Sequence, residues 1–107
     1  MADLKKVYRY VILIRNKMYY RITTMSVTDV DAVGAYADTM RDRMKELNAV
    51  SVNTIDAGNG KMVMIAVYNS KTDADAAAPK AKEMLGGAGE MMTAPPEASE
   101  GEVVWTL

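Results

Sequence analysis

The sequence predicts a single α+β domain whose elements follow the order β-α-β-β-α-β. Four strand-like and two helix-like segments fit within 107 residues, which is the length of one domain. Asn59 and Gly60 separate the two middle strands, and an Asn-Gly pair in this position is the strongest short signal of an antiparallel hairpin. The strand at 61–68 is apolar on both faces, so the sheet needs cover on each side.

The first strand of the domain is expected at 18–25, where aromatic and β-branched residues predominate. An earlier run, 7–14, has a similar composition, and the polar residues 15–17 would turn the chain between the two runs. Residues 1–17 are therefore either an extra strand or an N-terminal extension. We favour an extension, because 18–107 completes the predicted fold without it.

A long amphipathic helix is predicted after the first strand. Ser26 or Thr28 is its expected N-cap, and Asp29 and Asp31 complement the helix dipole, so we do not interpret them as metal ligands. Apolar residues then recur at intervals of three and four, as on one stripe of a helix. The residues of this stripe are Val30, Val33, Ala37, Met40, Met44 and Leu47. Asn48 is the predicted stop.

The two middle strands are expected at 50–56 and 61–68. One face of the second strand carries Met62, Met64, Ala66 and Tyr68, and the other carries Val63, Ile65 and Val67. Since both sets are apolar, one face should meet the helices and the other a partner, in the simplest case a second copy of the chain. The sequence does not distinguish the two faces.

The second helix is expected at 72–85, with Thr72 as N-cap and a kink or break at Pro79. Three glycines then end it rather than forming a phosphate-binding loop, because they follow a helix instead of preceding one. They are Gly86, Gly87 and Gly89. Residues 93–101 are predicted to be a loop, and 102–107 the closing strand.

The composition excludes several kinds of chemistry. The formal net charge is −1, so binding to a nucleic-acid backbone is not expected. The chain has no cysteine and no histidine, which removes the thiolate nucleophile and the commonest general base and metal or haem ligand. We therefore expect no metal and no cofactor. We also expect no membrane span, since the longest apolar run, 11–14, is far shorter than a spanning helix. A chain without cysteine fits a reducing compartment, and we expect a cytoplasmic location.

Polar residues within the predicted strands are the candidates for a binding site, while catalytic residues cannot be named. Arg21 and Asn53 would orient a carbonyl or carboxylate group if they faced a cavity, or would hydrogen-bond at a sheet edge or dimer face. Tyr68 and Trp105 combine an aromatic ring with one polar atom, and belong either to the core or to a site. Four methionines form either core or the wall of an adaptable pocket. They are Met40, Met44, Met62 and Met64.

The element order, the interrupted second helix and the segments YYRITTM, GNGKMVMIAVY and GEVVW resemble the dimeric α/β-barrel superfamily. The antibiotic-biosynthesis-monooxygenase-like and stress-responsive branches are the most similar, and the resemblance covers 18–107. It implies a ferredoxin-like domain whose antiparallel sheet faces that of a second copy in a barrel, with the helices outside. Ligands of such proteins often lie between sheet and helices.

The resemblance also bears on function. Haem-degrading members of the superfamily need a histidine, which this chain lacks. Members that are cofactor-free monooxygenases surround an aromatic substrate with Asn, Trp, Tyr and Arg. The implied function is therefore a cofactor-independent monooxygenase or isomerase acting on a small aromatic or carbonyl compound. The alternative is a non-enzymatic ligand-binding or assembly protein. RNA-recognition modules share the element order, but the strand at 61–68 lacks their aromatic motif.

Overall fold

The structure, a computed structural model, describes residues 18–107, and the expectation for 1–17 lies outside this range. Four strands form one antiparallel sheet in the spatial order β2-β3-β1-β4. The strands are β1 (Tyr19–Ser26), β2 (Ser51–Gly58), β3 (Lys61–Tyr68) and β4 (Glu97–Glu102). The helices are α1 (Val30–Thr39), α2 (Arg41–Met44) and α3 (Lys71–Gly86), with 3₁₀ turns at Lys45–Leu47 and Gly89–Met91. This is the predicted α+β class with the predicted β-α-β-β-α-β order.

The first helical segment is divided rather than continuous. Asp29, not Ser26 or Thr28, is its N-cap, and its carboxylate accepts hydrogen bonds from the amides of Asp31 and Ala32 at 3.0 and 3.2 Å. The helix is interrupted at Met40 (φ −97°, ψ 0°), and a short helix and a 3₁₀ turn follow.

The end of this segment and its apolar stripe agree with the sequence. Asn48 terminates it in the left-handed conformation (φ 54°), at the predicted stop. Val33 and Leu47 are buried, while Met40 and Met44 are half-buried. The stripe therefore faces the sheet although the helix that carries it is divided.

The second helix runs through Pro79 without a break, and its N-cap is Ser70 instead of Thr72. The Ser70 hydroxyl accepts a hydrogen bond from the amide of Asp73 at 3.1 Å. Pro79 is exposed, so its ring meets solvent while Ala77 and Met84 pack against the sheet. Packing of this apolar face outweighs the single backbone hydrogen bond that a proline removes.

The closing strand lies earlier than predicted. Residues 97–101, expected in a loop, belong to β4, which pairs with β1 from Tyr19–Glu102 to Thr24–Glu97. The strand ends at Glu102, which lies opposite Tyr19 at the start of β1. The amide of Val103 still reaches the carbonyl of Met18 at 3.1 Å. All six residues of β4 are exposed, as suits a charged edge strand.

The helices cover the face of β3 that carries the even-numbered residues. Tyr68 is only 1% exposed, and it joins Tyr19, Ala66 and residues of α3 in one core cluster. Met25 and Met62 form a second cluster beneath α1.

The opposite sheet face, here called the outer face, carries the odd-numbered residues of β3 and several partly exposed apolar side chains. Its central pair is Ile22 and Ile65, which lie directly opposite each other on β1 and β3. Ile22 is 41% exposed. The other apolar residues of the outer face are Tyr20, Ile55, Val63 and Val67.

Candidate functional site

A cavity of about 560 Å³ lies between the sheet and α3, and we call it the helix–sheet cavity. This volume is within the range typical of small-molecule sites. Strands β1, β2, β3 and β4 contribute Arg21, Thr23, Val52, Met64, Ala66, Tyr68 and Ala98. The rest of the lining is Leu47, Ala78, Ala81, Lys82, Leu85, Gly86, Gly89, Met92 and Pro96. The walls are mostly apolar, with a few polar groups on the sheet.

Arg21 is the charged group at the sheet side of the cavity, and Glu100 on β4 holds it in place. The two residues are directly opposite each other in the antiparallel register. The Nε atom of Arg21 donates to Oε2 of Glu100 at 2.9 Å, and Nη2 lies 2.8 Å from the same oxygen. Nη2 also reaches the carbonyl of Ala74 on α3 at 3.4 Å. Only 12% of the Arg21 side chain is exposed, so the guanidinium is fixed in position.

The second oxygen of Glu100 has a partner of its own. The hydroxyl of Tyr19 donates to Oε1 of Glu100 at 3.2 Å. Burial, followed by this hydrogen bond, raises the pKa of Tyr19 above its ordinary value. Both carboxylate oxygens are thus engaged, and Glu100 acts as the positioning residue for Arg21.

Tyr68 places a hydroxyl near Arg21 on the same sheet face. Its register partner is Tyr19, two positions before Arg21 along β1, so the two side chains are diagonal neighbours. No hydrogen bond joins the Tyr68 hydroxyl to another residue of 18–107, and Tyr68 lines the helix–sheet cavity although only 1% of the residue is exposed. Burial raises the pKa of Tyr68, the charge of Arg21 opposes this rise, and Glu100 adds to it. The phenol is neutral at physiological pH and available as a donor.

The four candidate residues from the sequence fall in three places. Arg21 and Tyr68 come together at the helix–sheet cavity. Asn53 pairs with Ile65 and so lies on the outer face, where it is exposed. Trp105 lies after β4, not in a strand as predicted, and is 67% exposed. Neither Asn53 nor Trp105 lines this cavity.

Two further polar residues belong to this region: Thr23, a polar position within the predicted first strand, and Glu100, which the sequence did not indicate. Thr23, 3% exposed, lines the cavity two positions after Arg21 on β1. The two-residue alternation of a strand puts both side chains on one face, and this signal could have identified Thr23. Glu100 was missed because 93–101 was predicted to be a loop. Only the register of β4 against β1 reveals its pairing with Arg21.

The acidic side chains and the helices of residues 18–107 were predicted to form neither a metal site nor a membrane span. Within 18–107, no group of three or more acidic side chains is placed to hold a metal ion. The Asp-x-Asp pairs instead serve helices: Asp29 caps α1, while Asp75 binds Lys71 at 2.7 Å. No helix in this part of the chain has the length and apolar character needed to cross a membrane.

No protein-family model matches the sequence, and no curated protein matches it. Solved structures do match the fold. A candidate antibiotic biosynthesis monooxygenase from Nitrosomonas europaea is similar with a TM-score of 0.64 and 15% identity, over 84% of this chain and 93% of that one. A mutant of SnoaB, a cofactor-independent oxygenase from Streptomyces nogalater, matches with a TM-score of 0.66 and 15% identity, over 85% and 97% of the two chains.

A third similar structure is a dimeric ferredoxin-like protein from an uncultured marine organism. Its TM-score is 0.64 at 10% identity, over 88% of this chain and 94% of that one. The chain therefore shares its fold, the ferredoxin-like fold, with these three proteins. The resemblance stated from the sequence is confirmed at the level of fold.

Proposed function

We propose that this protein is a cofactor-independent monooxygenase or isomerase that acts on a small aromatic or carbonyl compound in the helix–sheet cavity. The observation that carries the proposal is the presence of a fixed guanidinium and a neutral phenol together in a mostly apolar cavity of about 560 Å³. Arg21 and Tyr68 would both donate hydrogen bonds to one oxygen of the ligand, while the apolar walls hold its carbon skeleton. The similarity in fold to a cofactor-independent oxygenase supports the same function.

Both reactions would pass through an enolate, which forms when the substrate loses an α-proton to water, and the negative charge then rests on the substrate oxygen. Arg21 and the neutral hydroxyl of Tyr68 would stabilise that charge as preorganised hydrogen-bond donors. In the monooxygenase reaction an activated methylene becomes a carbonyl: its carbon gains one atom of O₂, and the other atom leaves as water with the two hydrogens. The substrate supplies all the electrons. In the isomerase reaction the same enolate is reprotonated at another carbon.

The test uses a panel of small enolisable ketones and hydroxyarenes. O₂ uptake reports the monooxygenase reaction, and deuterium incorporation from D₂O, followed by NMR, reports enolate formation. We expect turnover of at least one compound, and a loss of about 100-fold in Arg21→Ala, because one preorganised donor contributes about 10²–10³ in rate. Arg43→Ala is the matched control, since Arg43 lies on α2 and pairs with Glu83 away from the cavity.

The alternative, a non-enzymatic ligand-binding or assembly protein, makes a different prediction for the same panel. Compounds would then bind the wild type more tightly than Arg21→Ala, yet neither O₂ uptake nor deuterium incorporation would exceed that of the protein-free control. That result would replace the enzymatic proposal with a binding role.

We also propose that the protein is a homodimer whose outer faces pack together. The outer face is an apolar sheet surface on which Ile22 and Ile55 are 41% and 50% exposed, whereas Val67 on the same face is 7% exposed. A similar structure is described as dimeric and ferredoxin-like. Light scattering should give about twice the 11.7 kDa mass of the chain, and a monomer at micromolar concentration would contradict the proposal. We further propose a cytoplasmic location, which the cysteine-free sequence supports.

A further inference from the structure

A second cavity, of about 250 Å³, lies beneath α1 and α2, and we call it the methionine chamber. Six methionines contribute to its lining: Met25, Met40, Met44, Met62, Met64 and Met84. Four of these are the residues that the sequence left open as core or pocket wall. Methionine side chains are flexible and polarisable, so a wall made of them can adjust to a ligand.

The methionine chamber and the helix–sheet cavity share a wall. Five residues line both spaces: Leu47, Val52, Met64, Ala81 and Leu85. Met64 and Leu85 are only half-buried, and the unbranched side chain of Met64 has three rotatable bonds. A small rotation of the Met64 side chain would therefore join the two spaces without moving the backbone of β3.

Apart from Lys82, which is exposed, the polar end of the combined space favours a neutral group over an anion. The carboxylate of Glu100 already balances the charge of Arg21, and it engages Nε and Nη2. The remaining nitrogen, Nη1, makes no hydrogen bond within 18–107 and can donate to a ligand together with the Tyr68 hydroxyl. A carbonyl oxygen can accept both bonds, whereas a carboxylate would meet Glu100 with a like charge.

We propose that the two cavities bind one elongated ligand, a neutral carbonyl compound with a flexible alkyl chain. The carbonyl lies at Arg21 and Tyr68, and the chain passes Met64 into the methionine chamber. This inference rests on the proposed function, whose site it extends and whose ligand class it narrows. A flexible chain fits better than a rigid fused-ring system because it needs only a narrow opening in the shared wall.

The experiment measures the affinity of methyl ketones from heptanone to tridecanone by calorimetry. Each methylene that enters the methionine chamber should tighten binding about three- to fourfold. Gly34→Leu should fill the chamber, because Gly34 lines it and a Cβ there has nothing within 4 Å. This variant should bind heptanone like the wild type but gain nothing from longer chains. Ala35→Leu, at an exposed position of the same helix, is the matched control and should keep the wild-type dependence.

A second variant, Met64→Ile, keeps the proposal testable if Gly34→Leu does not fold. Met64→Ile keeps the side-chain size but makes it stiff at χ1, so long ketones should lose their advantage while heptanone keeps its affinity. Equal gains with chain length in the wild type, Gly34→Leu and Met64→Ile would overturn the use of the chamber. Tighter binding of the matching fatty acids than of the ketones would overturn the neutral class of ligand.

The test also separates this inference from the proposed function. If heptanone binds and Arg21→Ala weakens it at least about tenfold, the ligand site stands whatever the longer chains do. If heptanone binds the wild type and Arg21→Ala equally, or binds neither, the ligand site itself is refuted and the extended ligand with it.

Discussion

Replacement of Ile22 tests whether the outer face is the dimer interface. Ile22 is 41% exposed in the single chain, and full burial of an isoleucine contributes about 1.5–3 kcal/mol. Covering the exposed part therefore contributes about 0.6–1.2 kcal/mol in each subunit. A twofold interface contains the residue twice, so Ile22→Ala should weaken dimerisation by up to about 1.2–2.4 kcal/mol, roughly 8- to 60-fold in Kd.

Ile22→Lys is the stronger form of the same test. It places two unpaired ammonium groups in the interface, and their desolvation should abolish the dimer at micromolar concentration. Analytical ultracentrifugation across a dilution series measures both variants. Ala76→Lys, at an exposed position of α3 on the helix side, is the control and should dimerise like the wild type. An Ile22→Lys protein that keeps the wild-type Kd would refute the assignment of the outer face as the interface.

Three further predictions concern single residues. Burial raises the pKa of Tyr68 above 10.0, so the native state holds this proton more tightly than the unfolded state, and stability falls as the pH rises from about 10. Tyr68→Phe should lose less stability over this alkaline range, measured by urea unfolding; an unchanged pH dependence would contradict the assignment. Pro79→Ala should raise the free energy of unfolding by about 1–3 kcal/mol, because Pro79 is exposed inside α3; a lower value would mean that the proline is needed there. Gly60→Ala should destabilise more than Gly58→Ala, since both have positive φ but only the Cβ at position 60 would approach the Val27 carbonyl oxygen, at 2.7 Å; equal midpoints in thermal unfolding would refute this reasoning.

Local sequence signals predicted most of the fold because they act within a few residues. The Asn59–Gly60 turn has both residues at positive φ, 55° and 73°, as an Asn-Gly hairpin requires. The apolar stripe from Val30 to Leu47 faces the sheet, even though the helix is interrupted at Met40. Periodicity indicates which residues are buried, but it is insensitive to a local change of helix geometry.

Features that depend on pairing between distant strands could not be predicted from local sequence signals. β4 consists of Glu, Ala, Ser and Gly, which are poor strand formers, and it is a strand only because β1 offers it hydrogen bonds. The candidate site shows the same limit. Arg21 pairs with Ala66 while Asn53 pairs with Ile65, so the two polar residues face opposite sides of the sheet. Strand alternation alone does not relate the faces of two different strands, because that requires their register.

The position of Arg21 in the candidate site depends on β4, an edge strand of the sheet whose residues are all exposed. Arg21 is held by Glu100, which lies on this strand 79 positions away in sequence. Exposed edge strands open at a lower free energy than the sheet centre, so we predict that the amides of β4 exchange with D₂O faster than those of β1 and β3. Such opening would release the guanidinium and leave the Arg21 charge uncompensated beside an apolar cavity. The strand that the sequence indicates least clearly therefore controls whether the cavity favours a neutral ligand or an anion.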